Sequence, residues 1–258
     1  MAKEMSFWDH LEVLRRMLFR AAVVVVAAMV VVFLNKSLVF DVIIFGPRTS
    51  DFVLYHWMCQ LGEWLGWPGF CPEAFSISII NINMAAQFFT HVSTSFWLGL
   101  VLSFPYIIWE LWKFVAPALY THEKRGVRRA FAFSSLLFFL GVLVGYVFIF
   151  PLSIRFLGTY QVSEIVANEI SLNSYIGMFV TLILTMGLVF EMPVLAHVLS
   201  RFGIITRKFL RKYRRHAIIV VLILSAVITP SADAFTMIMV AIPLYLLYEF
   251  SILVCKKS

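Results

Sequence analysis

The chain has 258 residues, of which 62% are hydrophobic and only 14% are charged, and its formal net charge is +7. Soluble domains average about 45–50% apolar and roughly 25% charged residues, so this composition excludes a soluble enzyme, a disordered chain and a secreted disulfide miniprotein. The long unbroken apolar blocks also exclude a membrane β-barrel, whose strands alternate polar and apolar residues. The sequence therefore predicts an all-α membrane protein.

The first predicted element is a short amphipathic helix at residues 6–16. Ser6 and Asp9 fit a helix-capping box, and apolar residues recur at helical spacing on one side of the segment. We expect this helix to lie on the inner leaflet before the chain turns into the membrane. Glu12, on the polar side, either pairs with Arg16 one turn later or offers its carboxylate to a cationic ligand.

Six apolar blocks follow, and each predicts one transmembrane helix. The predicted spans cover residues 17–39, 87–112, 130–157, 175–199, 217–229 and 235–254. A helix over the short fifth block rises only about 20 Å, which is less than the ~30 Å hydrocarbon core. The first block is too long for the apolar core of a cleaved signal peptide. Because six crossings use roughly half of the residues, we expect one membrane domain over residues 1–258.

The distribution of positive charge predicts the orientation. With six crossings, eighteen of the 21 Lys and Arg residues fall on the side of the two termini, and only Lys36, Arg48 and Arg155 fall on the other. Cytoplasmic loops are enriched in Lys and Arg, so both termini are expected in the cytoplasm. The insertion rule and anionic lipid explain the positive net charge, which therefore does not indicate a nucleic-acid partner.

Prolines fall in four of the predicted spans, at Pro105, Pro151, Pro193 and Pro243. Proline removes a helical hydrogen bond and clashes with the preceding turn, so these spans are expected to kink. Bent helices enclose a concavity rather than a tight, straight bundle. A hollow in the membrane fits a transporter or a receptor better than a plain anchor.

Glu191 is an acid inside the predicted fourth span, two residues before Pro193. A carboxylate near mid-membrane costs about 2.5–3.5 kcal/mol on insertion scales, so it is expected to face a polar interior. Two roles stay open: a structural hydrogen bond to a neighbouring helix, or the proton-binding group of a proton-coupled small-molecule carrier. We find no internal repeat in the sequence, which disfavours the carrier.

The three cysteines divide between the two sides of the membrane. Cys59 and Cys71 fall in the first outer loop, and Cys255 falls at the inner end of the last span. An oxidising outer compartment would permit a Cys59–Cys71 disulfide, with two free thiols as the alternative. The cysteine spacing does not indicate a metal site. The sequence also lacks a nucleophile elbow, a phosphate-binding glycine loop and a complete HExxH motif, so it predicts neither a cofactor nor an enzyme.

The loop between the second and third spans carries the strongest signal for a binding site. It reads ELWKFVAPALYTHEKR from Glu110 to Arg125. Pro117 favours the start of a new helix, which places Glu123 one to two turns into that helix among several cations. Glu123 is then either a solvated acid neutralised by Lys124 or a carboxylate that binds an external cation.

Four sequence elements together resemble the TatC family, the membrane receptor subunits of the twin-arginine protein translocase. They are HLEVLR at residues 10–15, FVAPALYTHEKR at 114–125, FEMP at 190–193 and TPSAD at 229–233. The elements occur in the family's order along six matching spans, so the resemblance covers nearly the whole chain.

The resemblance implies a glove-shaped receptor of six helices in the bacterial cytoplasmic (inner) membrane. Such a protein binds the twin-arginine signal peptides of folded cargo proteins at its cytoplasmic face. It recruits TatA and, where present, TatB, forms homo-oligomers in the receptor complex, and depends on the proton-motive force for export.

The resemblance also implies roles for individual residues. Glu123 corresponds to the principal arginine-binding acid, with Phe114 beside it and Glu110 near the same patch. Glu191 matches the family's intramembrane acid, and Asp233 matches its acid near the outer tip.

The opening motif departs from the family pattern. The family usually has Glu directly before its Leu-Arg pair, where this chain has Val13. Glu12 lies one position earlier and about 100° around the helix. It is therefore a candidate signal-peptide contact in a shifted position.

Overall fold

The computed structural model describes residues 7–67, 71, 74–115, 121–163, 165, 168–229, 231 and 233–255, without the side chains of residues 7, 9, 10, 115 and 121–130. Within these residues the α-helices are α1 Phe7–Leu34, α2 Val53–Leu65, α3 Ala86–Val115, α4 Thr121–Val144, α5 Phe150–Thr159, α6 Leu172–Val189, α7 Met192–Arg201, α8 Arg207–Lys212, α9 Arg214–Ile228 and α10 Ala234–Val254. Two short strands, β1 Ser78–Ile80 and β2 Glu169–Ser171, pair in parallel. We call the end of the bundle with these strands the outer end, and the opposite end the inner end.

Five helical stretches are long and apolar enough to cross a membrane. They are Leu11–Leu34, Ala86–Phe114, Phe131–Thr159, Leu172–Arg201 and Ala234–Val254. They overlap the first four predicted spans and the sixth, so the chain is a multi-pass helical membrane protein. The predicted fifth span is the 15-residue helix α9, which packs against α10. The count of six crossings stays a prediction.

The beginning of the chain differs from the expectation. Helix α1 continues without a break from Phe7 to Leu34, so the expected turn after residue 16 does not occur in it. The reason is local, because this stretch contains neither Gly nor Pro. Its junction, RRMLFR at residues 15–20, consists mostly of good helix formers.

Close approaches at two glycines hold the helices together. A Cβ atom on Gly99 of α3 would lie 2.7 Å from the backbone nitrogen of Met29, so only glycine lets α1 approach so closely. A Cβ atom on Gly141 of α4 would lie 2.5 Å from the carbonyl oxygen of Met186 in α6. These two contacts determine how closely α1 packs against α3 and how closely α4 packs against α6.

The prolines interrupt some helices and not others. The predicted kink near Pro193 is confirmed, because α6 ends at Val189 and α7 begins at Met192. A π-helical turn, Gly145–Ile149, precedes Pro151, which occupies the first turn of α5. Helices α3 and α10 instead continue through their prolines.

Candidate functional site

The inner end of α3 carries a buried carboxylate, that of Glu110, whose side chain is only 4% exposed. Lys113, one turn later, donates a hydrogen bond from Nζ to Glu110 Oε1 at 2.7 Å. Arg20 of α1 lies with Nη1 3.8 Å from Oε2. Lys113 Nζ also lies 5.5 Å from the ring centroid of Trp109. One carboxylate therefore binds cations from two different helices.

The two cations are much more accessible than the acid that they neutralise. The side chain of Arg20 is 58% exposed and that of Lys113 is 48% exposed. Either can move into solvent while Glu110 stays in place. Because guanidinium offers a carboxylate two parallel hydrogen bonds, an incoming arginine can compete for this acid.

Two further candidate contacts lie near this end of the bundle. Phe114, the residue after Lys113, is half-buried at the end of α3. Glu12 of α1 is exposed and pairs with Arg16, the first of the two roles left open for it. It precedes Arg20 by eight residues, which places it about 12 Å further along α1. The structure therefore separates Glu12 from the Glu110 cluster along the helix.

Glu123 falls in the first turn of α4, which begins at Thr121. Its side chain lies outside the described part of the structure, so its contacts stay a prediction. Only the short segment after Val115 separates α3 from α4, so Glu123 and Glu110 belong to the same end of the bundle. Negative charge in the first turn of a helix is stabilised by the helix dipole.

Glu191 lies at the break between α6 and α7 and is only 8% exposed. Ser134 of α4 donates a hydrogen bond from Oγ to Glu191 Oε2 at 2.5 Å. The other oxygen, Oε1, is buried and has no hydrogen-bond partner among the described residues. Ser134 is a partner of Glu191 that the sequence did not predict. Its signal is the polar pair in the apolar block AFAFSSLLFF at residues 130–139.

A groove of about 550 Å³ runs between α3 and α6 on the membrane-spanning surface. Its walls are mainly apolar, with hydroxyl groups from Thr90, Ser93, Thr181 and Thr185. Thr90 Oγ1 donates a hydrogen bond to Asn173 Oδ1 at 2.9 Å, which joins the two walls at the outer end. This is a concavity of the kind that the sequence predicted.

Asp233 caps the N-terminus of α10. Its Oδ1 accepts a hydrogen bond from the backbone N–H of Thr236 at 2.7 Å, and Ser231 Oγ donates to Oδ2. Partial burial alone would raise the pKa of Asp233, but these hydrogen bonds outweigh it and lower the pKa below its usual value. The acid therefore has a clear structural role in starting this helix.

The first outer loop is covalently closed, because Cys59 and Cys71 are joined in a disulfide. Tyr55 OH donates to the carbonyl oxygen of Pro151 at 2.8 Å, which ties this loop to α5. Cys255 is free and buried. Among the described residues, no group of three or more His, Cys, Asp or Glu side chains is placed to hold a metal ion.

Comparison with known sequences identifies similar proteins along almost the entire chain. The family model described as Sec-independent protein translocase protein (TatC) matches residues 9–243. The TatC protein of Blattabacterium sp. subsp. Periplaneta americana is 39% identical over 251 residues, which cover 96% of this chain and 94% of that one. The TatC protein of Deinococcus radiodurans is 32% identical over 249 residues, which cover 96% and 85% of the two chains.

Solved structures give the same result. A crystal structure described as the twin-arginine translocase receptor TatC has a TM-score of 0.70 and 29% identity, and covers 95% of this chain and 97% of that chain. A second, of the receptor in the detergent DDM, has a TM-score of 0.75 at 29% identity, and covers 96% and 99% of the two chains. The likeness confirms the predicted class of polytopic helical bundle.

Proposed function

This chain belongs to the TatC family of Sec-independent protein translocase proteins, and we propose that it receives twin-arginine signal peptides at its inner end. In this proposal the chain is the core receptor subunit of the translocase in the bacterial cytoplasmic (inner) membrane. Folded cargo proteins then cross at the expense of the proton-motive force. The proton-coupled carrier considered for Glu191 is not retained, because the family is a protein translocase component.

The observation that carries the proposal is the buried Glu110 carboxylate with its two exchangeable cations. A surface that already binds guanidinium from Arg20 and ammonium from Lys113 has the chemistry that an arginine pair requires. Glu123, on the adjoining helix end, supplies the second acid and the principal contact. Two acids at one end of the bundle match two successive guanidinium groups.

The preference for arginine over lysine follows from geometry. Guanidinium is planar and presents a fork of donors to a carboxylate, whereas ammonium is a compact point charge. The proposal requires Glu123 to dominate locally over the cations beside it, Lys124 and Arg125. It also requires those cations to be oriented toward lipid rather than toward the peptide.

The orientation rests on the charge distribution. Eighteen of the 21 Lys and Arg residues fall on the side of the inner end when the chain crosses six times. By the positive-inside rule, we expect both termini and the Glu110 cluster in the cytoplasm, where precursors are made. The Cys59–Cys71 disulfide in the opposite loop is consistent with an oxidising outer compartment.

The groove between α3 and α6 supports the recruitment of single-span partners such as TatA and, where present, TatB. Membrane helices associate through close packing and through hydroxyl hydrogen bonds. The groove offers both, since Ser93, Thr181 and Thr185 lie along otherwise apolar walls. We expect several copies of this chain in the receptor complex.

Export of a twin-arginine reporter tests the proposal. Glu123→Lys should abolish export while the variant still inserts in the membrane in normal amount. Glu63→Lys is the matched control, because Glu63 is an exposed acid of α2 at the outer end. Normal export by Glu123→Lys would remove the central site. A photocrosslinker at position 123 should also capture the signal peptide, and a crosslinker at position 63 should not.

A further inference from the structure

A cavity of about 470 Å³ lies at the outer end of the bundle and plays no part in the proposed function. It lies at the level where three apolar segments end. Helix α1 ends at Leu34, α3 begins at Ala86 and α6 begins at Leu172, which itself lines the cavity. The cavity therefore lies at the depth of the boundary between hydrocarbon and head groups.

Two cations line this cavity, Lys36 and Arg48. Neither side chain forms an ion pair or a hydrogen bond with a described residue. Only three Lys and Arg residues are expected at the outer end, and two of them line this one cavity. A high density of positive charge at that end therefore does not explain why they lie together. Asp41, the one acid in the lining, leaves the site with a net charge of +1. That charge matches one phosphodiester.

The rest of the lining contains both polar and apolar side chains, and apolar atoms make up more of the cavity's surface than polar atoms do. Phe40, Phe45, Ile79 and Leu172 supply apolar surface to the same cavity as the two cations. A small inorganic anion would leave this apolar surface in contact with water. A molecule with a phosphate group and a hydrocarbon part satisfies both surfaces.

The walls of the cavity are fixed by hydrogen bonds from outside it. Tyr175 OH donates to the carbonyl oxygen of Ile44 at 2.7 Å, and Tyr146 OH donates to that of Ile43 at 2.9 Å, which hold the π-helical turn Leu38–Ile44. The backbone N–H of Ile77 donates to the carbonyl oxygen of Arg48 at 3.1 Å. The site is preformed, which reduces the entropic cost of binding.

We propose that this cavity binds one phospholipid, with its phosphodiester between Lys36 and Arg48 and its glycerol end against Phe40, Phe45 and Leu172. The lipid comes from the leaflet at the outer end of the bundle. The orientation proposed above makes that the outer leaflet, but binding itself does not depend on the orientation or on the signal-peptide site.

Native mass spectrometry of the full chain in detergent tests the proposal. The purified protein is stripped of lipid and titrated with phosphatidylglycerol, with diacylglycerol of the same chain length, and with inorganic phosphate. We expect one phosphatidylglycerol to bind to the wild type. The double substitution Lys36→Gln/Arg48→Gln should weaken that binding at least tenfold.

Two further variants make the result specific. Lys208→Gln/Arg211→Gln removes the same charge from exposed residues of α8 at the inner end, and it should bind phosphatidylglycerol like the wild type. Asn81→Trp keeps both cations but fills the cavity, which Asn81 lines from an exposed position. It should also weaken binding, and it provides the test if the double variant does not fold.

The outcomes are distinct. Undiminished binding by the Lys36→Gln/Arg48→Gln variant would overturn the proposal. Equal binding of diacylglycerol would overturn it too, because the phosphate would then contribute nothing. If inorganic phosphate alone binds as tightly and displaces the lipid, the cavity is a site for free phosphate, and the lipid assignment is wrong.

Discussion

Two buried acids of this protein, Glu110 and Glu191, have different kinds of partner. Glu110, at the inner end of α3, lies between two cations that are themselves about half exposed. Glu191, at the break between α6 and α7, receives a single hydrogen bond from the hydroxyl of Ser134. The first acid can exchange its partners with solvent, which suits recognition. Glu191 is enclosed between helices, and its hydrogen bond to Ser134 connects α4 to the break between α6 and α7.

The largest expected effect comes from separating the helices that hold Glu191. Gly141→Ala should cost about 3 kcal/mol of unfolding free energy, because the new Cβ atom would lie 2.5 Å from the Met186 carbonyl oxygen and would force α4 away from α6. Gly177→Ala is the matched control, since a Cβ atom there has no atom within 4 Å. Unfolding in mixed micelles measures both. Equal stability of the two variants would show that the close approach at Gly141 is not required.

The comparison between the acids is sharpened by removing one charge at a time. Glu110→Gln should cost about 1–2 kcal/mol of unfolding free energy, because Lys113 and Arg20 lose their anion. That cost should shrink in 1 M salt, since both cations are reached by solvent.

Glu191→Gln should show no such salt dependence, because its partner is an uncharged hydroxyl within the bundle. The same unfolding measurement at low and high salt decides the matter. If the two substitutions respond alike to salt, the proposed difference between the acids does not exist.

The sequence predicted the elements well and their mutual contacts poorly. Apolar blocks located the spans, and Pro193 located the break beside Glu191, because both are properties of a single stretch of chain. The pairing of Glu110 with Lys113 follows from helical spacing alone. The contacts of Arg20 with Glu110 and of Ser134 with Glu191 depend on how neighbouring helices are rotated against each other, which one sequence does not specify.

Local patterns also misled at the start of the chain. The amphipathic segment at residues 6–16 indicated a separate surface helix, but α1 continues through its end without a turn. Polarity changes at that point, whereas helix propensity does not. Arg20, which contacts Glu110, lies in this continuous helix four residues beyond the expected turn.

A smaller effect is expected at the outer end, at Asp233. Asp233→Ala should cost about 1 kcal/mol, because α10 loses its N-terminal cap, whereas Asp233→Asn should retain most of it. The pKa of Asp233 is lower in the folded protein than its usual value. Its contribution is therefore complete above about pH 4, near the value for the unfolded chain, and is lost as the pH falls through the folded pKa.

Thermal unfolding in detergent, measured as the pH falls from neutral to below about 4, gives the stability that the Asp233 carboxylate contributes. The wild type should lose stability relative to Asp233→Asn as the solution becomes acidic. A constant difference between the two proteins would contradict the role assigned to the charged carboxylate.

The most direct test of the central claim is the affinity of the reconstituted chain for a labelled signal peptide, compared between its twin-arginine form and a twin-lysine form. In the wild type, the change from arginine to lysine should weaken binding at least tenfold, and in Glu123→Gln most of this difference should disappear. Equal affinity of the wild type for the two peptides would contradict the claim that acids at the inner end recognise paired guanidinium groups.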